Sequence, residues 1–143
     1  MIALDTNILL AARREELPHH PQARRLLRRL ASGSQPWALP WPCVYEFLRV
    51  VTHRRVFQPP TPLARAVEDV VHLLAAPSLV MLGEGPAHGV HLERQMLAGE
   101  AAGNLAFDAQ IAALCVEHGV SELWTLDRGF ARFPGLRIAN PFR

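Results

Sequence analysis

The 143-residue chain contains no lysine; all fifteen of its Lys/Arg positions are arginine. Without an ammonium group the phosphate-cradling P-loop, Schiff-base catalysis and every nuclease or phosphoryl-acceptor site built on lysine are excluded. Arginine-biased codon usage accounts for such a composition, and the exclusion holds whatever its origin. Cysteine is nearly as scarce. Cys43 and Cys115 stand far apart, in no CxxC pattern and with no paired Cys/His spacing for zinc, so both are expected to pack in the interior. No apolar run approaches the roughly 20 residues of a membrane-spanning helix. The opening MIALDTN has no basic segment and places Asp5 inside what would be the apolar part of a secretory signal. A cytoplasmic protein is expected. Internal repeats, low-complexity tracts and long linkers are also missing, and the proline cluster QPPTP reads as a turn between helices. One domain over residues 1–143 is the expectation, a size that buries about two-thirds of the unfolded chain's surface.

What the chain does have is alternation between short apolar runs and longer stretches of helical period. IAL, WAL, LVML, ELWTL and LRIA read as strands. Between them a helix from about Asn7, then PQARRLLRRLAS, PCVYEFLRVVTHRR, LARAVEDVVHLLAA, PAHGVHLERQMLAG and LAFDAQIAALCVEHG read as helices, with RGFARF as a short helical turn. Pro42 near a first turn, Pro77 after a last turn and Gly119 at a C-terminus punctuate them. Strands separated by helical segments imply crossover connections. The fold class is α/β, with a mostly parallel sheet covered on both faces.

Aspartate is the scarcest charged residue present, at four copies, and three of the four occupy apolar surroundings. Asp5 follows IAL and Asp127 follows LWTL, where the carboxyl ends of parallel strands open onto a ligand-binding crevice. Asp108 shares a helical stripe with Ile111, Ala112 and Cys115, while Gln110 and Glu117 fall on the opposite side. Asp69, beside Glu68, reads as ordinary surface. Glu46 lies about one turn after Pro42, downstream of WAL, so that four carboxylates can meet at one edge. Three of them also have a plainer role: Asp5 as a helix N-cap, Glu46 as a solvated partner of Arg49, Asp127 as a turn residue. Asp108 is the hardest to explain that way, since burial without a partner is expensive. Together they would repel one another unless compensated. An all-oxygen acidic cluster without His or Cys suits Mg²⁺ or Mn²⁺ rather than zinc.

DTN after the first strand, a Glu one turn into the helix after the second, GNLAFDAQIAALCVEHG, and TLDRGFARFPGLRIANP at the end together resemble PIN-domain ribonucleases, most closely the VapC toxins of bacterial toxin–antitoxin pairs. The resemblance covers nearly the whole chain. It implies the PIN fold, a mostly parallel central sheet sandwiched by helices. It also implies that Asp5, Glu46, Asp108 and Asp127 are catalytic and hold the metal, with Thr6, Asn7 and Thr125 as supporting hydrogen-bonding groups. The activity implied is Mg²⁺-dependent endoribonuclease cleavage, with one carboxylate, Glu46 or Asp127, taking the proton from water. A cognate antitoxin laid over the site, a homodimer, and a heterotetramer or larger assembly with antitoxin are implied as well. Where many relatives carry an acidic residue, this chain has Gly129, so no auxiliary carboxylate is expected there.

Two neighbouring readings are a housekeeping PIN nuclease that matures RNA and an inactive PIN-like scaffold that binds RNA or protein; the intact quartet speaks against the latter. A haloacid-dehalogenase-like phosphatase would need an aspartate where Asn7 stands, and a lysine. With the quartet assigned to metal, nine acids face fifteen arginines in the rest of the chain, a balance that favours phosphate. Arg24, Arg25, Arg28 and Arg29, preceded by Arg13 and Arg14, form either a solvated helix face or a contact for RNA or a partner. Trp37, Trp41 and Trp124 are expected in core packing rather than base stacking.

Overall fold

The structure, a computed structural model, describes residues 1–143. Five strands, β1 (Ile2–Leu4), β2 (Trp37–Pro40), β3 (Leu79–Leu82), β4 (Glu122–Trp124) and β5 (Ile138–Ala139), form one sheet in the order β3-β2-β1-β4-β5. Every pairing is parallel. Six helices connect them: α1 (Thr6–Arg13), α2 (His20–Ser32), α3 (Trp41–Val51), α4 (Leu63–Leu74), α5 (His88–Ala98) and α6 (Leu105–Glu117), with a 3₁₀ turn at Arg128–Arg132. The chain winds outward from β1 through β2 to β3, then returns to add β4 and β5 on the other side. The order therefore reverses between β1 and β4, which makes that pair the topological switch point.

The central strands read as apolar runs because both faces are covered: Ala3, Leu4 and all of β2 are buried. One cluster of 26 buried apolar residues packs around the sheet, with Ile8 from α1, Phe47 from α3 and Leu114 from α6 among its largest members. Cys43 and Cys115 are free and buried within it. Burial of α6 extends around most of its circumference, since Ala109 and Ile111 through Cys115 are all enclosed. Small alanines allow this close packing.

Several element ends differ from expectation by a residue or two, and two of the differences have a clear cause. The third helix stops at Val51 instead of running to Arg55, because the Val51 carbonyl accepts the Thr61 N–H at 2.9 Å and the Thr52 hydroxyl donates to the Leu48 carbonyl at 2.6 Å. Chain returning from the proline cluster thus takes the acceptor the next helical turn would use. The fourth strand ends at Trp124 rather than Leu126. Thr125 and Leu126 are diverted into contacts at the site described next. No helix is long and apolar enough to cross a membrane.

Candidate active site

Asp5 ends β1 and begins α1. Its Oδ1 accepts the Thr6 N–H at 2.7 Å, so it is the helix N-cap in fact. Its Oδ2 accepts the Thr125 hydroxyl at 2.6 Å and the Asn7 side-chain amide at 2.8 Å. Thr125 follows β4, and the Asp5 N–H donates to the Trp124 carbonyl at 3.1 Å, so parallel pairing across the switch point brings the two strand ends together. The Thr125 oxygen in turn accepts the Asp127 N–H at 2.9 Å, and Asn7 Oδ1 accepts the Leu126 N–H at 3.2 Å. Asp5, Asn7 and Thr125 thus bind the loop after β1 to the loop after β4. Asp127 caps the 3₁₀ turn through the Gly129 N–H at 2.7 Å.

Glu46 reaches the same place from α3. Its Oε2 accepts the Thr6 hydroxyl at 2.7 Å, and its Oε1 stands 4.0 Å from Arg49. Asp108 reaches it from the first turn of α6, where the helix dipole favours negative charge. The expected inward orientation of Asp108 is only half met: the residue is partly buried and opens onto a groove of about 740 Å³ shared with Glu46.

The charges of these groups are felt mutually. Burial pushes the Asp5 carboxyl up to about 7, against the lowering effect of Thr125 and Thr6, with Glu46 and Asp108 raising it further. Asp108 is raised by burial first, then by Asp127 and Glu46; Arg132 is the one influence that lowers it. Asp5 is 4% exposed, and no guanidinium pairs with it. A buried carboxylate with acidic neighbours and no cationic partner is costly to ionise.

The oxygen-only donor set fits a hard divalent cation in kind. No three Asp, Glu, His or Cys side chains converge tightly enough to close a coordination sphere on their own. Mg²⁺ in general keeps several waters and is held by one or two carboxylates together with phosphate oxygens. Asp5, Glu46, Asp108 and Asp127 are the candidates to hold it.

Several residues have roles the sequence did not indicate. Trp41, Tyr45, Phe107, Glu84 and Gln110 line the groove beside Glu46 and Asp108. Trp37 is buried and donates to the Ser78 hydroxyl at 3.2 Å, as a core tryptophan should. Trp41 and Trp124 are half-buried and pack against the core as expected, and Trp41, at the start of α3, also lines the groove. Asp69 is not ordinary surface: it forms a two-bond pair with Arg13, tying α4 to α1. Arg14 is also engaged, with Glu16, the Pro59 carbonyl and the face of Phe57. Arg24, Arg25, Arg28 and Arg29 are exposed, and Arg24 shares a cleft with Arg13 and Arg14 at the end of α1 opposite Asp5. Glu117, on the side of α6 away from the inward stripe, nevertheless has a side chain only 7% exposed, lying against Gly85 with His88 Nδ1 at 3.4 Å. At Gly129 a Cβ would come within 2.9 Å of Asp127 Oδ1, so any side chain there would displace that carboxylate.

Residues 2–136 match the model of the PIN domain family. The fold is that of VapBC2 from Rickettsia felis, solved bound to a DNA fragment from its promoter, at a TM-score of 0.71 and 19% identity, covering 97% of this chain and 98% of that one. VapC20 of Mycobacterium tuberculosis, a sarcin-ricin-loop-cleaving toxin, superposes at a TM-score of 0.68 and 16% identity, over 96% and 99% of the two chains. Ribonuclease VapC43 of M. tuberculosis is 40% identical over 141 residues, 99% of this chain and 95% of its own. Ribonuclease VapC31 from the same organism is 37% identical over 99% of both. The chain belongs to the PIN-domain family of VapC ribonucleases.

Proposed function

We propose that this protein is a Mg²⁺-dependent endoribonuclease toxin whose catalytic carboxylates are Asp5, Glu46, Asp108 and Asp127, and that a cognate antitoxin neutralises it. The observation that carries the reading is the gathering of these acids around a buried Asp5 at the switch point of the sheet. The ribonuclease names of the relatives support the reaction class. The antitoxin is supported by relatives solved as toxin–antitoxin pairs, among them FitAB bound to DNA.

The reaction is hydrolysis of a phosphodiester. Water attacks phosphorus in line, the bond from phosphorus to the leaving oxygen breaks, the water loses a proton and the leaving oxygen gains one. A divalent cation, when bound, makes water a stronger acid and offsets charge on the scissile phosphate. The chain's own residues supply position. Asp5 is held by three hydrogen bonds, so its oxygens have one orientation. Glu46 lines the groove with Oε2 fixed by Thr6, and it or Asp127 is the group to accept the proton released by water. Arg132 acts on Asp108 while donating to the Gly129 and Gly99 carbonyls, which keeps a positive charge beside the site.

Cleavage of total RNA with and without Mg²⁺ by wild type, Asp5→Ala and Asp108→Ala tests the proposal. Activity in the wild type alone, abolished by EDTA, is expected. Equal cleavage by all three proteins would trace the activity to a contaminant and remove its basis. A small antitoxin gene immediately upstream would separate a toxin from a housekeeping nuclease.

A further inference from the structure

The chain has ten Phe, Trp and Tyr residues, and only two are exposed: Tyr45 at 67% and Phe107 at 66%. Both line the groove that holds Glu46 and Asp108, and each directly precedes one of those carboxylates in the sequence. Trp41, one turn before Tyr45 on α3, joins them; its ring centroid lies 6.1 Å from that of Tyr45, with 32° between the planes. Three rings, two from α3 and one from α6, therefore line the groove of the candidate active site.

Their position is not general looseness of the surface. The other exposed large apolar residues are aliphatic or Met1, and four of them, Leu63, Val67, Val71 and Leu74, form a separate stripe on α4. Aliphatic side chains offer area; aromatic rings offer flat faces as well, on which any nucleobase can stack. Arg49 lines the same groove and supplies positive charge for a backbone phosphate. Bases within a duplex already stack on each other and leave no face free, whereas those of loops and single strands do.

We infer that Trp41, Tyr45 and Phe107 form a stacking platform for unpaired nucleobases next to the phosphate presented to the carboxylates. The inference rests on the ribonuclease reading above and assigns the side chains that hold the bases flanking the scissile phosphate in this groove. Because stacking is tolerant of base identity, the platform selects for unpaired structure more than for sequence.

The test uses the purified chain with a short fluorescein-labelled single-stranded RNA, and a duplex of the same sequence. Binding is measured by anisotropy in EDTA, and cleavage in Mg²⁺. Tyr45→Ala and Phe107→Ala should each weaken single-strand binding roughly tenfold and raise KM with little change in kcat. Tyr45→Phe and Phe107→Trp, which keep a ring, should stay within about twofold of wild type. Unchanged thermal melts would establish that the alanine variants fold. Equal single-strand binding by wild type and both alanine variants would overturn the platform, as would a preference for the duplex. Unchanged RNA binding with loss of binding to a protein partner would overturn it too. If the wild type cuts no RNA in Mg²⁺, it is the ribonuclease reading that fails; if it cuts and the alanine variants match it, only the platform does.

Discussion

Thr125 has one hydroxyl and three partners: it donates to Asp5 and accepts from Asn7 and from the Asp127 N–H. Its bond to Asp5 is the largest influence opposing the cost of burying that carboxylate. Thr125→Val keeps the shape but removes the bond, so the Asp5 carboxyl should move further upward. In a pH profile of cleavage, the acid limb of the variant should shift to higher pH. Stability should fall by about 1–3 kcal/mol, because the Asp127 N–H and the Asp5 oxygen lose a buried partner. A wild-type pH profile in the Thr125→Val enzyme would show that the hydroxyl does not tune the site. Of these relations, the sequence made the residue types legible but not the wiring. Asp5 and Thr125 lie 120 positions apart, and only parallel pairing of β1 with β4 makes them neighbours.

Among elements, α1 and α4 are joined by Arg13 and Asp69, which are separated by 56 residues. The two-bond geometry and partial burial distinguish this pair from a surface ion pair. Arg13→Ala should destabilise the fold by about 1–3 kcal/mol in urea unfolding, with little effect on metal binding. The Arg13→Ala, Asp69→Ala double variant should be less destabilised than the sum of the singles. Additive losses would mean that the pair is not coupled. Local chemistry made most elements readable, since apolar period, prolines and Gly119 mark where helices begin and end. It could not show that Asp69 finds a guanidinium, that Glu117 is buried against Gly85, or that the third helix is cut at Val51 by Thr61. Each depends on a segment returning from elsewhere in the chain. Tyr45 and Phe107 were unreadable for a related reason: apolar character predicts burial, and only the assembled groove leaves them uncovered.

For the molecule as a whole, the site is a place where stability and charge are in tension. Asp5 titrates near 3.8 when unfolded and is raised to about 7 by folding. A raised carboxyl stabilises the fold fully below the lower value, and that contribution is lost as pH rises through the upper one. The loss amounts to roughly 4 kcal/mol at most. In EDTA the melting temperature of the wild type, relative to Asp5→Asn, should therefore fall between about pH 4 and pH 7. Added Mg²⁺ should reverse the fall near neutral pH in the wild type only, because a ligand that binds the folded state stabilises it. A difference between the two proteins that stays flat with pH, or Mg²⁺ stabilising both alike, would contradict this. The place of Asp5 and Asp127 was legible from strand ends, whereas the stripe of α6 set Asp108 further inward than its half-buried position. Burial of Asp5 without a cationic partner was not legible, since it emerges only when four elements close over it.

The most direct measurement is of the cation itself. Mn²⁺, which bears an electron-spin signal that is lost on binding, can be titrated into wild type, Asp5→Asn and Asp108→Asn without any RNA present. Saturable binding by the wild type, weakened at least tenfold in each variant and displaced by Mg²⁺, is the expected result. Wild-type affinity retained by both variants would mean that these carboxylates do not hold the metal.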